Sequence, residues 1–181
     1  MANPTSVASA FRRKALLVVL LAFCGGVVHA DIIDRIMAVV DGQIITLSDV
    51  TAALQFHLVE PPPGTPDPVA HTVDRLIERT LVLAEVERFQ PPEPDPIEIT
   101  IRVDELERQA GSAAAFDKLL ATTGLTRGRL GRHIRDDLRI TTYKNQRFGA
   151  NTPPAERDAA MSTWVSELRR RANVTVLTPV R

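Results

Sequence analysis

The hydrophobic positions of this chain change period several times, and each change marks an element. Ile36 to Val40 is continuously apolar, which reads as a buried strand over Arg35 to Val40. Asp41-Gly42 follows, and then the β-prone run Gln43 to Thr46. A two-residue Asp-Gly link between such runs predicts a hairpin with a type I′ turn, because that turn needs positive φ at both central positions. The spacing then becomes helical. Val50, Leu54 and Leu58 recur every four residues behind Ser48, a capping type, and Asp49 suits the positive end of the helix. Pro61-Pro62-Pro63-Gly64 marks its end.

Asp67-Pro68 opens the next helix, with Pro68 at the first helical position. Its apolar stripe is Val69, Val73, Leu76, Ile77, Leu81 and Ala84, and it stops before Pro91-Pro92. Ile97, Ile99, Ile101 and Val103 then alternate with Glu98, Thr100 and Arg102, a period of two that suits a strand. Asp95-Pro96 and the helix-forming run Asp104 to Gln109 favour a helix instead; helix is the preferred reading, with strand as the alternative. Ser112 caps a short helix carrying Phe116, Leu119 and Leu120, which ends at Gly124-Leu125. Thr126 caps another, with Leu130, Ile134 and Leu138 on one face, extending to Phe148. A last helix starts near Pro153-Pro154. Burying its Met161, Trp164, Val165 and Leu168 contributes roughly 6–12 kcal/mol gross, so it is expected to dock. Val174 to Leu177 is a short strand that cannot stand alone, and the hairpin is its natural partner.

The first thirty residues stand apart. Arg12, Arg13 and Lys14 precede the apolar run Ala15 to Phe23, and small residues lead to Val28-His29-Ala30. A charged start, a short apolar core and a small-x-small exit are the marks of a secretory signal peptide, with cleavage expected after Ala30. The stretch from Ala15 to Ala30 is short for a membrane span, which needs about 20 residues, although a retained anchor is the alternative. Phe23 before Cys24 argues against a lipoprotein site. General secretion is preferred over a twin-arginine route through Arg12-Arg13.

Composition narrows the function. The 181 residues carry 22 basic and 22 acidic side chains; losing the leader leaves 19 against 22, a net charge of −3. The lone cysteine lies in the leader, so the remainder has none and is indifferent to an oxidising compartment. One cysteine also excludes an intramolecular disulfide framework or a multi-cysteine metal knuckle. Aromatics at 4% argue against a sugar- or base-stacking surface. No phosphate-binding loop, dinucleotide fingerprint, His-Glu-x-x-His or Gly-x-Ser-x-Gly motif is present. His57, His71 and His133 are read onto three different helices, without partners at ligand spacing. Asp136-Asp137 point to different helix faces and read as a solvated surface. Arg127, Arg129, Arg132, Arg135 and Arg139 load one helix and Arg169-Arg170-Arg171 another. Export and the negative balance favour surfaces neutralised by the acidic stretches at 74–87 and 104–107 over nucleic-acid binding. No cofactor or metal is expected.

The opening Asp34-Arg35-Ile36-Met37-Ala38-Val39-Val40-Asp41-Gly42, continuing to Val50, resembles the start of the SurA-type periplasmic chaperones. Val73 to Glu85 is similar to the long second helix of their N-terminal domain. Phe116 to Phe148 looks like its closing helices, and Trp164 to Leu177 like the C-terminal helix and strand that return to complete it. The resemblance implies a mainly α fold: a signal peptide at 1–30, a helical SurA-N-like domain at 31–149, and a helix and strand at 150–181 completing the same domain. The small β-sheet is expected from the N-terminal hairpin and the C-terminal strand.

Many members of that family carry parvulin-type prolyl isomerase domains before the C-terminal segment. Here only Ala150 to about Pro154 fills that place, so the resemblance does not imply isomerase activity. It implies a non-enzymatic periplasmic holdase for unfolded or partly folded exported, outer-membrane proteins, with no membrane span after leader cleavage. A structural adaptor docking on one folded periplasmic partner is the alternative, and a divergent isomerase a weaker one. Phe56, Leu58, Phe116 and Leu120 are the candidate peptide-binding residues, since they sit near helix ends; core packing is the competing reading for each.

Overall fold

The computed structural model describes residues 34–149 and 151–177. The leader, its cleavage after Ala30, the alternative anchor and Cys24 lie outside the described residues. Strands β1 (Ile36–Val40) and β2 (Gln43–Thr46) are followed by helices α1 (Leu47–Gln55), α2 (Pro68–Phe89), α3 (Pro96–Gln109), α4 (Ala113–Thr123), α5 (Arg127–Phe148) and α6 (Pro154–Arg171), and by strand β3 (Val174–Val176). The fold is mainly helical with one small antiparallel sheet, in the order β2-β1-β3. No helix among the described residues is long and apolar enough to cross a membrane.

The hairpin forms as its turn chemistry dictates. Asp41 and Gly42 take φ of 48° and 85°, the positive pair a type I′ turn needs. The two ends of the described chain meet on β1, where Val40 pairs with Val174, Val39 with Thr175 and Ala38 with Val176. Asn173 donates its N–H to the Asp41 carboxylate at 2.8 Å and accepts the Asp41 N–H at 3.0 Å, which clasps the hairpin turn to the start of β3. An irregularity in the β1–β2 register between Ile36 and Ala38 lets Met37 and Ala38, neighbours in sequence, both be buried.

Several helix boundaries follow the expected signals. Asp67 accepts the Ala70 N–H with Pro68 at the first position of α2, and Ser112 and Thr126 cap α4 and α5. Residues 96–109 are helix, with the Asp95 side chain accepting the Ile97 N–H. Gly124 closes α4 at φ 66°, and the buried Leu125 donates its N–H to the Leu120 carbonyl.

Others differ. The cap of α1 is Thr46, not Ser48: its hydroxyl accepts the Asp49 N–H and the Asp49 carboxylate accepts the Thr46 N–H, a reciprocal box that places Ser48 inside the first turn. The same helix ends at Gln55, well before the prolines. His57 turns the chain at φ 52°, and the N–H groups of Leu58 and Val59 both reach back to the Ala53 carbonyl. His57 is therefore in a turn and Leu58 lies beyond the helix. In α2 the buried stripe is Val73, Ile77, Leu81, Val82 and Val86, whereas Val69 and Ala84 are exposed. The stripe is rotated because the sheet and α6 cover α2 from different sides. In α6 only Trp164 and Leu168 are buried, so the gross contribution falls to roughly 3–6 kcal/mol, with Met161 and Val165 half-buried.

The apolar interior has two parts. One joins the sheet, α2, the second half of α5 and α6 around Val40, Ile77, Val86, Tyr143 and Trp164. The other joins α1, α4 and the first half of α5 around Phe56, Phe116, Leu130 and Ile134. Helix α5 runs through both, and α1 contributes Val50 to the first and Ala52 to the second, with Phe56 just beyond its end.

Candidate peptide-binding groove

The second apolar cluster is incompletely covered on one side. Helix α3 packs there through Ile99, Val103 and Leu106, all half-buried, and has no fully buried residue. Between α3, the turn after α1 and α5 lies an open groove of about 730 Å³. Phe56, Leu58, Leu106, Leu119, Ile134 and Leu138 supply its apolar surface; Gln55, Gln109 and Thr141 add polar groups. About half of the lining is polar, because His57, Glu60, Arg102, Glu105 and Asp137 face the groove as well, so a chain entering it meets apolar surface and hydrogen-bonding groups side by side. The charged groups at its edge are largely matched within the protein. Arg102 bonds Glu105 at 3.3 Å, and Arg79 donates to Asp137 at 2.7 Å and to the His133 carbonyl at 3.2 Å.

A smaller groove of about 460 Å³ adjoins it. The two share Leu58, Glu60, Asp137 and Thr141. The smaller one continues between α2 and α5 past Val82 and Ile140 to Lys144, with Val165 of α6 beside it. Burial holds the Lys144 ammonium below its ordinary pKa, with Arg75 adding to the effect and the Glu78 and Asp137 carboxylates opposing it.

The sequence-derived candidates divide at this groove. Phe116 and Leu120 are buried in the second cluster, where Phe116 meets Phe56 edge to face at 5.9 Å and carries the Arg127 guanidinium over its ring at 4.6 Å. Phe56 is itself buried but contributes to the groove wall. Leu58 is half-buried and lines both grooves. Leu106, Leu138 and Lys144 were not among the candidates. Helical spacing assigns Leu138 to the same face as Ile134, yet it cannot show that no helix covers that end.

Several arginines of these two helices are ion-paired. Arg127 bridges Glu107 of α3 at 2.6 Å and Asp117 of α4 at 3.1 Å, while Arg169 bonds Asp74 at 2.9 Å. Arg139 is buried, hydrogen-bonded to Glu87, with its Nε 3.3 Å from Glu93. Asp136 and Asp137 are half-buried and ion-paired, Asp136 with Arg135 on its own helix and Asp137, whose side chain is still 44% exposed, with Arg79 of α2. The His133 imidazole is held below its ordinary pKa, first by burial and then by the Arg79 guanidinium. Among the described residues no group of three or more His, Cys, Asp or Glu side chains is arranged to hold a metal ion.

No family model matches this sequence, and no curated protein matches it.

Proposed function

We propose that this protein is a non-enzymatic periplasmic chaperone that holds unfolded exported proteins, outer-membrane proteins among them, through the groove between α3, the turn after α1 and α5. The observation that carries the reading is a groove of about 730 Å³, open to solvent on a helical body, in which Phe56, Leu58, Leu106, Ile134 and Leu138 supply apolar surface. An unfolded client presents apolar side chains on an extended backbone, and such a groove receives the side chains while polar edges meet the backbone. The client loses conformational entropy on binding, so holding is weak and reversible. The resemblance of residues 34–50 and 164–177 to the SurA-type chaperones supports the same reading, and the leader-like first thirty residues support export.

The experiment is aggregation of an unfolded outer-membrane protein diluted from denaturant, followed by light scattering. The protein is expected to suppress scattering at modest molar excess. Leu58→Glu, which places a carboxylate where the two grooves meet, is expected to reduce suppression several-fold while leaving the circular dichroism spectrum unchanged. No suppression by folded wild-type protein sinks the proposal.

The adaptor reading draws support from a different surface. Ile97 and Ile101 lie one turn apart on α3 and are 66% and 50% exposed, a small apolar pair on the outer face of that helix. Ile97→Ser/Ile101→Ser separates the two: it is expected to leave client holding intact, and loss of one stoichiometric folded partner in a pull-down favours the adaptor.

A further inference from the structure

We propose that α3 is a hinged flap, which swings off α4 and α5 about Pro92–Pro94 and Gly111 and admits a bound chain to the apolar surface beneath it. The inference rests on the peptide-binding reading above and adds how the groove opens.

Of the six described helices, α3 alone has no buried residue. Its inner face is Ile99, Val103 and Leu106, each half-buried. Opposite Ile99, α5 presents Gly131, which has no side chain to interlock with it. Among the described residues no backbone hydrogen bond joins residues 91–111 to another part of the chain; those they make close the turns of α3 itself. The polar ties run through side chains. Glu107 meets Arg127 of α5 at 2.6 Å, and Glu93 lies 3.3 Å from the Arg139 Nε, without a hydrogen bond, and 3.9 Å from Arg135. The Glu93 side chain is mostly exposed, and such a pair contributes little.

Both ends of α3 suit a pivot. Pro91 is buried and fixes the near side, and beyond it Pro92 and Glu93 are exposed. Pro91, Pro92, Pro94 and Pro96 have no N–H to knit this strut into the body, and its stiffness makes α3 move as one piece. At the far end Gly111 is exposed at φ 87°, with nothing within 4 Å of where a β-carbon would stand, so its backbone changes conformation at little steric cost. Beneath α3 lie Leu119, Ile134 and Leu138, which line the larger groove. Phe116 and Leu130 are fully buried and hold α4 to α5, so the platform persists when α3 leaves. A bound chain that lays apolar side chains there replaces the contacts α3 gives up, and so shifts the population toward the open form.

The test locks α3 in place. A β-carbon at Gly131 lies 3.8 Å from Ile99 Cγ2, within reach of a disulfide, whose β-carbons stand about 3.5–4.5 Å apart. Ile99→Cys/Gly131→Cys is made in the full chain with Cys24→Ser, which leaves no other cysteine. The reduced form is expected to suppress light scattering as the wild type does. The oxidised form is expected to suppress it about fivefold less, with recovery on adding dithiothreitol. Equal suppression by the two forms overturns the flap and leaves the groove reading standing. Hydrogen exchange of the wild-type protein reads the flap without a client: amides 100–109 are expected to exchange about tenfold faster than those of α2 and α5. Equal protection overturns the flap whether or not a client is held, whereas absence of suppression by the wild type and the reduced variant overturns the holding reading on which it rests.

Discussion

At the scale of single residues, stability depends on a few groups whose partners lie far away in sequence. Glu87 is held below the usual carboxylate range, first by its hydrogen bond from Arg139, and His133 is held below its usual range by burial. Both folded pKa values are depressed, so in each case the unfolded chain binds the proton more readily. The stability they contribute is present above the unfolded pKa and lost on acidification, from roughly pH 6.5 for His133 and roughly pH 4 for Glu87. Urea unfolding from pH 8 to 3 should show both declines, with Glu87→Gln flattening the lower one; a flat lower limb in the wild type contradicts this. Asp41→Ala removes the acceptor of the Asn173 N–H and puts a β-carbon without a local hydrogen bond at φ 48°. It is expected to cost about 1–2 kcal/mol, measured by denaturant unfolding followed through Trp164 emission. The hairpin residues were legible because turn geometry is local. The burial of Arg139 was not, since an arginine among five others on one helix looks like surface until a second helix covers it.

The elements divide in the same way. Helix starts at Asp67, Ser112 and Thr126 could be read because a cap is set by the few residues around it. The start of α1 was misplaced at Ser48, whereas it is Thr46 that has the acidic partner three residues on. The alternation over 97–103 was a misleading cue: as a helix it puts Ile99 and Val103 inward and leaves Ile97 and Ile101 outside. Gly131 faces Ile99, and a β-carbon there lies 3.8 Å from Ile99 Cγ2, an ordinary contact. Gly131→Ala is therefore expected to stabilise the protein by about 0.5–1 kcal/mol, read as a rise in the denaturation midpoint. Removing everything after Gly149 strips Trp164, Leu168 and Val174 from the first cluster and the β3 edge from β1. Such a truncate is expected to lose cooperative thermal unfolding; an unchanged melting temperature by circular dichroism contradicts the docking role of α6.

For the whole molecule, the joining of both ends on β1 makes the C-terminal helix part of the same body as the hairpin. That closure places Val165 of α6 beside Lys144 and so shapes the far end of the smaller groove. Client holding is thereby expected to depend on α6 even though α6 contributes one side chain, Val165, to the smaller groove and none to the larger. Partial loosening of α6 by Leu168→Ala should cost about 2–5 kcal/mol and weaken holding at temperatures where the fold persists, which the light-scattering assay measures.

What the chain determined by itself was local: the type I′ turn at Asp41-Gly42, the capped helix starts, and the apolar spacing that makes each helix amphipathic. These depend on φ preferences and on hydrogen bonds within four residues. Only the tertiary structure decided which faces met. It split the interior in two along α5, buried Phe116 and Leu120, and left Leu106 and Leu138 half-buried beside a thinly packed α3. Period alone specifies that a face seeks cover; how much of it is covered depends on the length, tilt and placement of helices distant in sequence.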